Sequence, residues 1–254
     1  MVVYRCEDSL ESIFTAVYQA YEEKRNHAET LLSLSDDPIL FAEDIQVIPC
    51  VEKVLKVMRT LKSRFGEKDY FSLCLALASE DSEKAQAVYK TIVDGLAGKR
   101  GRGHLFDNLA NDFVHKSFSL ARGAEREYAH LRGFVRFEEL ENGVLYSRVA
   151  PKNNVVTFLM PHFADRLPIE NFVIYDEGRN FFGIHPAGKQ WYLLLGEGSE
   201  MPGLKLSEEE RTYRELFCRF CHEIAIKERK NLQLQRNMLP LRFQEYMVEF
   251  QQNL

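Results

Sequence analysis

The sequence predicts an α+β protein, mainly helical in its N-terminal half, with an antiparallel sheet and packed helices in its C-terminal half. Three observations carry this. Apolar residues recur at helical spacing in the first hundred positions, as in Ile13, Val17, Ala20 and Tyr21. After Gly133 the period drops to two, around a hairpin signal at Glu141-Asn142-Gly143. Helical patterning then returns after Ser207, where Glu210 completes a capping box. Helices and strands in separate blocks define the class.

In order along the chain, Val2–Cys6 reads as a strand, and Asp8 with Glu11 as the capping box of a first helix. Ile45–Ile48 reads as a strand ended by Pro49. Val51, Val54, Leu55, Met58, Leu61 and Phe65 form a helical stripe closed by Gly66, and further helices fit 68–79 and 82–97. A long helix is expected over 106–131, with Leu109, Phe113, Leu120, Ala124 and Leu131 facing the core. Strands follow at 133–139 and 144–149, a helix at 154–166, and strands at 172–175, 181–185 and 191–195. In the final long helix Tyr213, Leu216, Phe217, Phe220 and Ile224 are the expected core face, and Pro240 begins a last short helix. The glycine- and charge-rich stretch Gly98–Gly103 is the candidate boundary between regions 1–98 and 104–254, which could also form one compact unit. It lacks P-loop spacing.

The composition, with 45% hydrophobic and 28% charged residues, is that of a globular protein. The start has no basic residues followed by a long apolar run, and no stretch suits a membrane span, so a cytoplasmic chain is expected. The five cysteines are scattered and read as free thiols. Net charge is −5. Yet between 99 and 136 the basic residues Lys99, Arg100, Arg102, Lys116, Arg122, Arg126, Arg132 and Arg136 outnumber the acids, a local basic patch compatible with a polyanion. On the long helix His115, Arg122, Arg126 and His130 share one side, as a solvated face or a contact surface.

Cys218-Arg-Phe-Cys-His222 has the letters of a haem-attachment or zinc motif. Its mid-helix position, the absence of a second Cys/His pair and the nearby Arg211 and Arg214 argue against both, so no cofactor is expected. His162 and Arg166 lie four apart beside Asp165, an arrangement that suits either an acid–base histidine or a surface ion pair. Asp176 and Glu177 sit in a charged turn that suits either carboxylate chemistry or a solvated hairpin tip.

The segments REYAHLRGFVRFEEL (126–140), VAPKNNVVTFLMPHFADRLP (149–168), FVIYDEGRN (172–180) and IAIKERKNLQLQRNMLP (224–240), together with YRCEDSLESIFTAVYQAYEEK (4–24), resemble an uncharacterised bacterial family described as DNA metabolism proteins. Members of that family are typically encoded beside a radical S-adenosylmethionine protein, and in some the domain is joined to a uracil-DNA-glycosylase-like domain. The likeness covers nearly the whole chain. It implies a nucleic-acid-binding accessory protein in DNA repair or modification that acts with a radical S-adenosylmethionine partner. Arg122, Arg126, Arg132, Arg136, Arg166, Arg179 and Arg229 are the candidate nucleic-acid contacts, because guanidinium groups bind phosphate bidentately. Two alternatives stand beside this reading. One is an enzyme acting on DNA or nucleotides with His162 as acid–base and Asp176 as orienting or metal-binding carboxylate. The other is a scaffold that binds only protein.

Overall fold

The computed structural model describes residues 1–98, 105–196 and 204–251. It comprises two compact units, Met1–Arg126 and Glu127–Leu254. The division falls inside one helix. Residues 99–103 of the predicted boundary lie outside the described residues.

In the first unit β1 (Val2–Arg5) is the centre of a three-stranded parallel sheet, flanked by β2 (Thr30–Ser33) and β3 (Glu43–Gln46). A parallel pair needs a crossover, and α1 (Leu10–Glu22) supplies it between β1 and β2. Ser9, not Asp8, caps α1 by accepting from Ser12 N. Asp8 pairs instead with Lys84, at 2.5 Å. Ile13, Val17 and Ala20 of α1 are buried, as their spacing predicts. The strand expected at 45–48 is two residues earlier, and β2 was not anticipated, since its four residues are too short to show a period. α2 (Val51–Leu77) bends at Gly66, whose φ of 87° interrupts the helical backbone where a helix end was predicted. α3 (Lys84–Ala97) follows, and Thr91 Oγ1 fastens it to the next helix by donating to Ser117 Oγ at 2.9 Å.

That helix, α4, runs Asp112–Phe134. It starts later than predicted, and its buried stripe is Val114, Ser117, Ala121, Ala124, Glu127 and Leu131. Leu109 and Phe113, assigned to the core from sequence, are exposed. The inward side of α4 thus carries small residues, Ser117, Ala121 and Ala124, rather than the largest apolar ones.

The second unit holds a five-stranded sheet in the order β4-β5-β6-β7-β8: Glu138–Glu139, Leu145–Val149, Phe172–Asp176, Phe181–His185 and Tyr192–Leu195. It is mixed rather than antiparallel throughout. β5 and β6 run parallel, joined by the crossover helix α5 (Val156–Arg166), and the other pairs are antiparallel. The strand predicted from Gly133 shrinks to two residues, because α4 continues through Phe134. Met160 of α5 presses on Gly183 of β7, where a side chain would have no room. Phe163, Phe137, Phe172 and His185 continue this core as successive ring contacts of 4.7–5.5 Å. α6 (Glu208–Glu223) is capped by Ser207, as its capping box predicts. Glu210 reaches past the cap to accept from Glu139 N at 3.1 Å, tying the helix to β4. Short helices α7 (Leu232–Met238), α8 (Leu241–Gln244) and α9 (Val248–Gln251) end the described chain.

Candidate nucleic-acid interface

Within the second unit, the last turns of α4 lie beside α5. Tyr128 meets Phe158 edge-on, with ring centroids 6.4 Å apart. The Arg132 guanidinium lies over the Tyr128 ring at 5.6 Å. On α5, Phe158, His162 and Arg166 follow at four-residue steps, so they share a face. Partial burial pushes the His162 imidazole below its ordinary pKa. The positive charges of Arg132 and Arg166 lower it further, and Asp165 opposes them. Arg132 and Arg166 are exposed, and neither forms an ion pair among the described residues. The fold thus brings three predicted site residues together: two guanidinium groups without an ion-pair partner among the described residues, and a histidine whose pKa burial, and then their positive charge, lowers.

Other candidates are placed differently. Asp176 ends β6 in phase with Phe172 and Ile174, so it points inward and is fully buried. Its Oδ1 accepts from Arg179 N at 3.1 Å and its Oδ2 from Arg179 Nη1 at 3.3 Å. Burial raises the carboxyl pKa, against the lowering effect of Arg179. Among the described residues no hydrogen bond joins Asp176 to His162. Arg179 in turn donates to the carbonyls of Pro151 (3.0 Å) and Lys152 (2.5 Å). The same loop is gripped from its other edge by Glu127. That buried carboxylate accepts from Lys152 N (2.9 Å), Asn153 N (2.7 Å) and Asn153 Nδ2 (2.6 Å), and pairs with Arg242 at 3.0 Å. Asp176 and Arg179 therefore act as one half of a clamp on the loop that launches α5, and Glu127 with Arg242 as the other half.

Glu127 and Arg242 escaped the sequence reading. The signal for Glu127 was present, an acid in phase with Ala124 and Leu131 on a buried stripe. Arg136 donates to the carbonyls of Gly133 and Val135 and pairs with Glu249 at 2.9 Å, so its donors serve the fold. Arg229 is exposed after α6. In the first unit Arg122 lies over Phe118 at 5.9 Å, and Arg122, Arg126 and His115 are all exposed.

The Cys-x-x-Cys-His residues of α6 diverge. Cys218 is buried and its thiol donates to Val248 O at 3.6 Å, whereas His222 is exposed. Among the described residues no three His, Cys, Asp or Glu side chains are grouped so as to hold a metal ion. Nor is any described helix long and apolar enough to cross a membrane.

The family profile of the domain of unknown function DUF4130 matches residues 82–249, two-thirds of the chain. The chain belongs to the DUF4130 family. No curated protein matches it. In this DUF4130 member the matched span takes in α3, α4 and all the described strands of the second unit, with both halves of the loop clamp and the Arg132–His162–Arg166 group. The parallel sheet β2-β1-β3 precedes the match.

Proposed function

We propose that the chain is a nucleic-acid-binding accessory protein in DNA repair or modification, and that it contacts the phosphate backbone through Arg132, His162 and Arg166. The observation that carries this reading is the pair of exposed guanidinium groups, without an ion-pair partner among the described residues, that flank one histidine. Phosphate supplies what that group lacks, an anion shared between forks that can each bind it bidentately. Tyr128, under Arg132, offers a stacking surface at the edge of the same group. The resemblance to DNA metabolism proteins supports DNA as the polyanion and a radical S-adenosylmethionine protein as the partner that supplies the reaction. An enzymatic role for His162 with Asp176 finds less support, because Asp176 is buried and occupied by Arg179.

The test is a titration of fluorescent DNA at several salt concentrations. Changing Arg132 and Arg166 together to glutamine should weaken binding and flatten the salt dependence by about two units, roughly 0.9 for each phosphate that is no longer neutralised. Absence of DNA binding by the wild-type chain at low salt would end this reading in favour of a protein-only scaffold. Turnover of DNA by the isolated chain would replace the accessory role with an enzymatic one. Co-purification with the radical protein would support the partner.

A further inference from the structure

The side chains that the sequence assigns to the core side of α6 lie on its outside. Tyr213 is 69% exposed, Leu216 55%, Phe217 40%, Phe220 57% and Ile224 58%. Their spacing of three and four residues aligns them in one stripe. The helix does not need this stripe to stay on its unit. A neighbouring face holds it, through buried Cys218, the Arg214–Glu138 pair at 2.8 Å and the bond from Glu139 N to Glu210. Aromatic side chains offer 150–250 Å² each, so the exposed fractions sum to roughly 600 Å² of apolar surface on one helix. That is at the upper end of what a monomer ordinarily leaves bare, about 300–600 Å².

We propose that α6 is a self-association surface, covered by the α6 of a second copy of this chain packed antiparallel to it. Area and charge both select a copy as the occupant. With its polar rim, the stripe approaches the roughly 800 Å² per partner of a standard interface. The ends of the stripe carry opposite charge. The first turn carries Glu208, Glu209 and Glu210, and the chain just after the helix carries Arg229 and Lys230 beside the acid Glu228, while between them Arg211, Arg214 and Arg219 nearly balance Glu215 and Glu223. A uniformly basic or acidic partner would suit one end and be repelled by the other, whereas an antiparallel copy satisfies both. In the register that sets Phe217 against Phe220 of the second copy, Tyr213 meets Ile224, and the acidic first turn lies towards the end of the partner helix, beyond which Arg229 and Lys230 follow. Tyr213, Phe217, Phe220 and Ile224 alternate by four and three, the spacing of a two-helix seam. The contact is isologous and closes at two copies. It is independent of the DNA reading.

Sedimentation of the full chain over a concentration series tests it. The wild type should dimerise. Phe220→Glu, an exposed position, should raise the dissociation constant by about 30-fold or more, as for a central interface residue. Glu208→Lys with Glu209→Lys should also weaken the dimer, and adding Arg229→Glu with Lys230→Glu should restore it. The charge-swap set decides even if Phe220→Glu misfolds, since it alters only solvated side chains. A wild type that stays monomeric at every concentration overturns the proposal, as does a dimer that Phe220→Glu leaves unchanged in a folded chain. Failure of the second charge swap to restore association overturns the antiparallel arrangement.

Discussion

Replacing Glu127 by alanine removes the side chain that holds the 150–155 loop by its N–H groups. The carboxylate is 2% exposed and accepts three hydrogen bonds from Lys152 and Asn153, at 2.9, 2.7 and 2.6 Å. Hydrogen bonds to a charged group contribute about 1.5–3 kcal/mol each. Two features reduce the sum. Lys152 is exposed, so its freed N–H can find water, and Arg242, about half-exposed, can return to solvent. The remaining penalty is about 3 kcal/mol, a large share of the roughly 5–15 kcal/mol that holds a domain together. Because α5 starts directly after this loop, part of the loss should appear as local opening around His162. Glu127→Gln keeps an acceptor oxygen and should cost less, about 1–2 kcal/mol. Urea unfolding with a thermal melt measures both, and the alanine change should lower the melting temperature by about 6–12 °C. A loss below about 1 kcal/mol for Glu127→Ala would refute the clamp as a stabilising device.

Four further outcomes follow from the same geometry. Arg136→Gln should destabilise the fold by about 1–2 kcal/mol through the orphaned Glu249, while leaving the salt dependence of DNA binding unchanged; a changed slope would place Arg136 among the phosphate contacts. Because the folded-state pKa of His162 is lowered, its contribution to stability is present above the unfolded value near 6.5 and is lost as pH falls through the folded value. An anion between Arg132 and Arg166 should raise that pKa, so DNA should bind more tightly as pH falls towards 6, and proton NMR of the imidazole should follow the shift; binding independent of pH would exclude His162 from the contact. Gly183→Ala would push a methyl group into Met160 and should cost about 1–3 kcal/mol by overpacking, measured by denaturant unfolding. Metal analysis of the purified chain should find no stoichiometric zinc, since Cys218 is turned to Val248 and His222 to solvent.

Much of the fold was legible because local patterns carry it. The Gly66 break, the Asn142-Gly143 turn with its φ of 74° at Gly143, the Ser207 cap and the three strands after 172 each rest on neighbouring residues alone. Strand direction was not legible in this way. Whether β5 and β6 pair parallel depends on where α5 returns the chain, and β2 is too short to show a period. Of the site, His162 and Arg166 could be joined on sequence alone, since four residues make one helical turn. Arg132 could not be added to them, because its approach depends on how α4 lies against α5.

By itself, then, the sequence determined the α+β class, most of the helices and turns, and which arginines and histidines were available for contact. Only the tertiary structure decided which of these were free. Arg136 and Arg179 were indistinguishable from Arg132 and Arg166 as letters, yet partners distant in the chain, Glu249 for Arg136 and the Pro151 and Lys152 carbonyls for Arg179, occupy the first two, while Arg132 and Arg166 have no ion-pair partner among the described residues. It also decided which way the amphipathic helices faced. Periodicity finds an apolar stripe on α4 and α6 but not what lies against it. On α4 the buried stripe runs through Val114, Ser117, Ala121 and Ala124 and leaves Phe113 exposed, while on α6 a face bearing Cys218 meets the unit and the aromatic stripe is left outside. The physical reason is common to both. Hydrogen-bond partners and packing surfaces come from residues far apart in the chain, and spacing along one segment cannot encode them.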